Sequence, residues 1–319
     1  MKGITDVPGI QLGQAEDRKA ATGLTVVLCP EGAVGGMVIN GDSTSTRQVG
    51  GLTPGHVVDK VHGVLFTGGS AFGLDAAAGV TAYLEEQGVG FDVGVTRIPI
   101  VPTAALFDLR LGDHTVRPTV EMARQACQSA SDGPVAQGSV GAGCGATVGK
   151  LFGMEQASKG GLGSASISRP GRLAVGGLVA VNAFGDVWEE DGSRILAGAR
   201  KDPESKEFVD TEANIAAGRD QISHAFRNTT LALVATNAKL NRSGCLRTAR
   251  MASQILARVI RPYATIFDGD LVICLSTGQI EVDPHTLGLL AGQVLAKSAV
   301  NAVKEADGLG MIPAHGDLV

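Results

Sequence analysis

Aromatic residues make up only 4% of this 319-residue chain, with a single tryptophan among them. Stacking platforms for single-stranded nucleic acid need several aromatics, so that class of partner is excluded. Positive charge is also scarce. Its 27 lysines and arginines against 32 acids leave a net charge of −5, the wrong sign for a general binder of phosphate backbones. No stretch reaches about 18 uninterrupted apolar residues, so no membrane span is expected. The opening Met1-Lys2-Gly3-Ile4-Thr5-Asp6 lacks a basic region followed by an apolar one, so no secretion signal is expected. Five cysteines (Cys29, Cys127, Cys144, Cys245 and Cys274) are odd in number and form neither a Cys-x-x-Cys nor a zinc-like Cys/His spacing. Reduced thiols in a cytoplasm, and no metal, are the expectation.

What the chain does have is glycine, 45 residues without a Gly-X-Y period, and a 44% hydrophobic share large enough for a sizeable core. Short runs rich in Val, Ile and Thr, bounded by Gly, Pro, Asn or Asp, read as strands. They are Gly23 to Cys29, Val34 to Asn40, Gly63 to Thr67, Arg172 to Trp188, Thr230 to Thr236 and Leu271 to Thr277. Helical periodicity appears over Phe72 to Gln87, over Pro118 to Ala130 with proline in the first turn, over Ser243 to Ile260, and over His285 to Glu305. Sheets with helices outside are the natural class. The segment Ala197 to Arg227, with Arg200, Lys201, Asp202, Glu204, Lys206 and Glu207 near its start, reads as an exposed charged connector, partly helical after Thr211.

Two glycine loops invite a nucleotide reading and fail it. Gly138 to Lys150 places Cys144 and Leu151 where a phosphate loop needs Gly and Ser or Thr. Gly68-Gly69-Ser70-Ala71-Phe72-Gly73 follows a strand and opens a helix, but Phe72 stands where a nucleophile elbow has glycine. Ser70 therefore reads as a helix cap, and the Gly69 and Ser70 amides as a wall for an anionic group of a substrate. The six histidines fall in no Ser/Asp or metal pattern.

The run Asn228-Thr229-Thr230-Leu231-Ala232-Leu233-Val234 starts polar and becomes a strand, and Phe267-Asp268-Gly269-Asp270-Leu271 sets two carboxylates at i and i+2 beside another. Taken alone, the first is a loop entering a strand and the second a solvated turn. Together with Ile4-Thr5-Asp6-Val7-Pro8-Gly9-Ile10, the Gly68–Gly73 turn and the glycine-rich run ending at Lys150, they resemble a known family. It is the self-processing N-terminal-nucleophile group of DmpA L-aminopeptidase/D-Ala-esterase/amidases and β-aminopeptidases, and in motif most like the nylon-oligomer (6-aminohexanoate oligomer) endohydrolases.

The resemblance implies a four-layer αββα sandwich, of the type also seen in ornithine acetyltransferases. It implies a single hydrolase domain that cuts itself between Asn228 and Thr229 into associated fragments 1–228 and 229–319. Freed by the cut, the amine of Thr229, with an ordinary pKa of about 7.7–8.0, becomes a base for its own hydroxyl. By resemblance, Asp268 and Asp270 orient that hydroxyl and amine, Asn182 donates to the oxyanion, and Lys150 lies near the nucleophile. Phe107 aligns where the nylon-oligomer enzymes carry a tyrosine, which puts polyamide-oligomer hydrolysis in question. The expected substrate is a small peptide or amide, with no organic cofactor, no nucleic acid and no membrane, and the expected assembly is a homo-tetramer or larger. An acyltransferase of the ornithine acetyltransferase type, and an uncleaved binding or scaffold protein, are the rival readings.

Overall fold

An 18-residue strand, Thr22–Ile39, organises the computed structural model, which describes residues 2–169, 173–219 and 228–318. Its first half pairs with Gln11–Asp17 and Lys60–Thr67, and its second half with Leu271–Ile280. The register shifts between Leu28 and Ala33, where Pro30 removes a donor and Gly32 takes φ +75°. The two runs read from the sequence as separate strands are thus one strand shared by two sheets. From one edge the order runs Gly161–Arg169, Leu173–Asn182, Thr229–Ala238, Leu271–Ile280, then the long strand, Lys60–Thr67, Thr103–Ala105 and Ser45–Arg47. The strands at 229–238 and 271–280 are parallel neighbours, and both lie in the middle of this order.

Alternation along the strands divides the core into layers. Val175, Val179, Ala232, Val234, Val272 and Cys274 face the helices Arg242–Leu256 and Pro284–Lys304. Leu178, Ala180, Leu231, Leu233, Leu271 and Ile273 face inward, against Val27, Cys29, Val64 and Phe66 of the second sheet. On the far side of that sheet, Leu24, Val26, Leu28 and Leu65 meet the helices Ala77–Glu86 and Val120–Ser129. Helix, sheet, sheet, helix is the four-layer sandwich expected. Parity along its strand places Thr229 on the inner face with Leu231 and Thr230 on the other.

Helix ends differ from the periodicity reading in instructive ways. Val120–Ser129 is capped by Thr119, whose hydroxyl accepts the Met122 N–H at 3.2 Å, so Pro118 precedes the helix instead of opening it. Arg242–Leu256 stops before Ile260, because Ile260–Arg261 becomes a short strand on Asp186–Trp188. The Ser70 turn is a 3-10 segment, Ser70–Ala76, that leads into Ala77–Glu86. Ser70 itself sits at φ +54° and makes no capping bond.

Pro284–Lys304 opens with proline after the capping Asp283, as a helix start should. It is long and apolar enough to cross a membrane by composition, and 72% of that window is buried inside the protein. Arg200 is not on an exposed connector: it is buried, donating to the carbonyls of Glu155 at 2.6 Å and Ala157 at 3.4 Å. Partners more than forty residues away in sequence outweigh its charged surroundings. Of the connector, residues 220–227 lie outside the described residues, as do His224 and, in the 172–188 run, Arg172.

Candidate active site

Thr229 is the first residue of its strand, buried, and paired across to Asn182, the last residue of Leu173–Asn182. Its hydroxyl donates to the carbonyl oxygen of Asn228, the residue before it. That same oxygen accepts the Gly269 N–H at 2.7 Å, while the Asn228 N–H donates to the Phe267 carbonyl at 2.9 Å. Residue 228 is therefore held as an extra parallel bridge against Asp268. A Cβ added to Gly269 would lie 2.8 Å from the Thr229 hydroxyl oxygen, so only glycine leaves that hydroxyl its room. Gly269 was missed from the sequence. The signal was the glycine between the two aspartates, whose main-chain N–H matters as much as the acids.

The carboxylates flank that glycine and are both buried. Asp270 accepts the N–H groups of Thr230 and, at 2.9 Å, Ala264. Asp268 accepts the Phe184 N–H at 3.1 Å and both donors of Thr265. These bonds fix the main chain on either side of residue 229, and they reach Thr230 instead of the Thr229 hydroxyl. Burial raises the pKa of Asp268, and burial followed by the charge of Asp268 holds Asp270 well above the usual carboxylate range. Such a pair holds a proton more readily than either acid alone.

Lys150 is buried, with Nζ 2.9 Å from Asn182 Oδ1 and 3.0 Å from the Asn182 main-chain oxygen. Desolvation lowers it to about 7, the nearby charge of Asp268 opposing. Asn182 Oδ1 also accepts the Thr147 N–H at 3.0 Å, and one Asn182 Nδ2–H goes to the Phe107 carbonyl at 3.0 Å. With the Thr147 hydroxyl at 3.4 Å, three donors on Oδ1 fix which way this amide faces and leave its second N–H as the one to offer. Phe107, Thr147, Lys150, Met154 and Asn228 line a small cleft.

Gly69 and Ser70 do not join this group. The Gly69 N–H is taken by Asp108 Oδ1 at 2.7 Å and the Ser70 N–H by the Leu106 carbonyl at 2.9 Å, so the anion they were expected to bind is the protein's own Asp108. Asp108 also accepts the Thr22 hydroxyl at 2.7 Å and is pushed up by burial to about 6. The second glycine loop likewise faces an internal partner. Buried Lys159 donates to the carbonyls of Gly143 and Ala146 at 2.9 Å and of Gly160 at 3.2 Å. Another buried acid, Asp186, accepts from Ala199 N, Thr211 N and Thr211 Oγ1, each at 2.8 Å, and ties down the helix Thr211–Ala216 ahead of the junction. Among the described residues no group of three or more His, Cys, Asp and Glu is placed to hold a metal.

This arrangement has relatives. The sequence pattern of peptidase family S58 matches residues 2–314. An uncharacterised aminopeptidase of Mycobacterium leprae is 38% identical, covering 99% of this chain and 93% of its own. A 6-aminohexanoate-oligomer endohydrolase of Kocuria sp. is 26% identical over 94% of this chain and 85% of its own. The structure of a Burkholderia sp. β-aminopeptidase superposes with a TM-score of 0.71 at 20% identity, covering 99% of this chain and 92% of that one, and shares the fold.

Proposed function

The chain belongs to peptidase family S58, and from that premise we propose how it works: as a self-processing amidohydrolase that cuts small peptide or amide bonds with Thr229. The observation that carries the reading is the Thr229 hydroxyl lying against the Asn228 carbonyl while Gly269 N–H grips the same oxygen. In the first cut, Thr229 Oγ1 attacks the Asn228 carbonyl carbon and gives up its proton, while Asp270 holds the Thr230 main chain beside it. Negative charge gathers on the oxygen bonded to Gly269 N–H. The C–N bond breaks, the Thr229 nitrogen takes the proton, and water hydrolyses the resulting ester. Fragments 1–228 and 229–319 remain associated.

In turnover the freed amine is the base, Thr229 Oγ1 the nucleophile, and an acyl-enzyme is released by water. The second N–H of Asn182 serves the oxyanion, and Lys150, bonded to Oδ1, orients it. Phe107 walls the substrate cleft. Denaturing electrophoresis with amino-terminal sequencing tests this: two pieces, the shorter beginning Thr229-Thr230-Leu231, are expected, and a fully active single piece overturns it.

A pH effect follows from the base. The amine works only when neutral, so kcat/KM is expected to climb from pH 6 and level off above about 7.7–8.0. A pH–rate profile on the processed protein that is flat across this range rules out the amine as base. The same reading includes a cytoplasmic location, supported by five buried free cysteines, and a homo-tetramer or larger. Exposed Val57, Val93 and Val95 support such assembly, and solution mass by light scattering checks it.

A further inference from the structure

Asn182 has to present one N–H to the oxyanion, so the direction of its amide matters as much as its presence. Lys150 and Thr147 hold the Oδ1 side. On the other side the Phe107 carbonyl takes one Nδ2–H at 3.0 Å. That carbonyl belongs to the planar peptide joining Phe107 to Asp108, so whatever fixes Asp108 also fixes its direction. Leu106, one residue earlier, is tied by its main chain to Thr67 and Ser70, each at 2.9 Å. Asp108 is tied by its side chain: the Gly69 N–H donates to Oδ1 and the Thr22 hydroxyl to Oδ2, both at 2.7 Å. The carboxylate is buried in a fitted slot, since a Cβ added to Gly68 would fall 2.0 Å from Oδ2. Thr22 opens one strand of the second sheet and Gly69 follows another, whereas Asn182 ends a strand of the first. Asp108 thus anchors the far sheet to the amide that serves the reaction.

We propose that Asp108 is a positioning residue for the oxyanion donor, acting through the Phe107 carbonyl on the Asn182 amide, an inference that rests on the function given above. Without the two bonds to its carboxylate the 107–108 peptide is free to turn. Its carbonyl then leaves Asn182 Nδ2, and the amide's other N–H loses its aim. Misaiming costs most where charge develops, in the transition state, so kcat falls while KM holds. The anchoring is done by hydrogen bonds and not by charge. Asp108→Asn preserves both: Oδ1 still accepts the Gly69 N–H, and the new Nδ2–H donates to the Thr22 hydroxyl, which can accept as well as donate.

The processed protein tests this by hydrolysis of L-alanyl p-nitroanilide, with kcat referred to the cleaved fraction. Asp108→Ala is expected to lower kcat by about 10- to 100-fold with KM within about threefold of the parent. Asp108→Asn is expected to bring kcat back to within about threefold. Thr22→Val, which removes one of the two bonds, should lower kcat by about 3- to 10-fold, and it decides the matter if the alanine variant does not fold. Parent kcat in Asp108→Ala or Thr22→Val overturns the positioning role and leaves the amidase function standing. So does an Asp108→Asn as slow as Asp108→Ala, which would make the charge the agent. A folded Asp108→Ala that stays uncut overturns it too, because the first cut draws on the Gly269 N–H. A processed parent without hydrolysis overturns the function, and the positioning role with it.

Discussion

Replacing Thr229 with alanine is expected to give a folded chain of one length that hydrolyses no amide. The substitution removes the hydroxyl that lies against the Asn228 carbonyl, so the junction stays closed and the amine that would serve as base is never freed. Both losses follow from one atom, which makes the effect all-or-none: a fall of at least about 10,000-fold in turnover. Little structure depends on that atom. The strand 229–238 is held by its neighbours at 173–182 and 271–280, and the stability cost should be about 1 kcal/mol. Thr229→Ser keeps the hydroxyl and should still cleave. Electrophoresis and a hydrolysis assay on the two variants decide the matter. A cleaved alanine variant would mean that another residue is the nucleophile.

Gly269→Ala is the second large effect. Its new Cβ would meet the Thr229 hydroxyl oxygen at 2.8 Å and the Ser43 carbonyl oxygen at 2.9 Å. The hydroxyl is displaced from its line of attack, and the N–H that holds the Asn228 oxygen shifts with it. Loss of a single oxyanion donor typically costs about 100- to 1,000-fold. Self-cleavage in this variant should slow by at least that much, seen as persistence of the full-length band over hours. Circular dichroism should remain that of the parent, because the atoms the new Cβ displaces are the Thr229 hydroxyl and the 43–44 main chain, which lies outside the long strands and helices. Cleavage at the parent rate would show that the Gly269 N–H is not the donor.

How much of this was legible in the sequence depended on whether a residue's partner is local. The Asn228-Thr229 and Asp268/Asp270 segments read alone as a loop and a solvated turn, and only the family resemblance that their order carries drew attention to them and implied the layered sandwich. The partners of Gly69 and Ser70 could not be read at all. Their amides look available at a turn, and only the fold brings Asp108 and the Leu106 carbonyl to occupy them. The same limit hid Lys159, whose three carbonyl partners turn a phosphate-like loop inward, and Arg200, which looks solvated from its neighbours and is buried by distant ones. The strand Thr22–Ile39 was split in the reading because Pro30 and Gly32 are usual strand breakers. Here they bend the chain between two sheets without ending it.

The placement of strands 229–238 and 271–280 in the middle of the sheet order, with 173–182 on one side and 22–39 on the other, reaches past catalysis. A nicked molecule cannot shed its shorter piece without tearing ladders along both flanks, so the cut hardly loosens the native protein. Melting is another matter. The unbroken precursor assembles from a single strand of chain, but the mature protein must find its other half by collision, at a rate that falls with dilution. Maturation therefore works as a ratchet: the active form, once lost, is far harder to regain than it was to make.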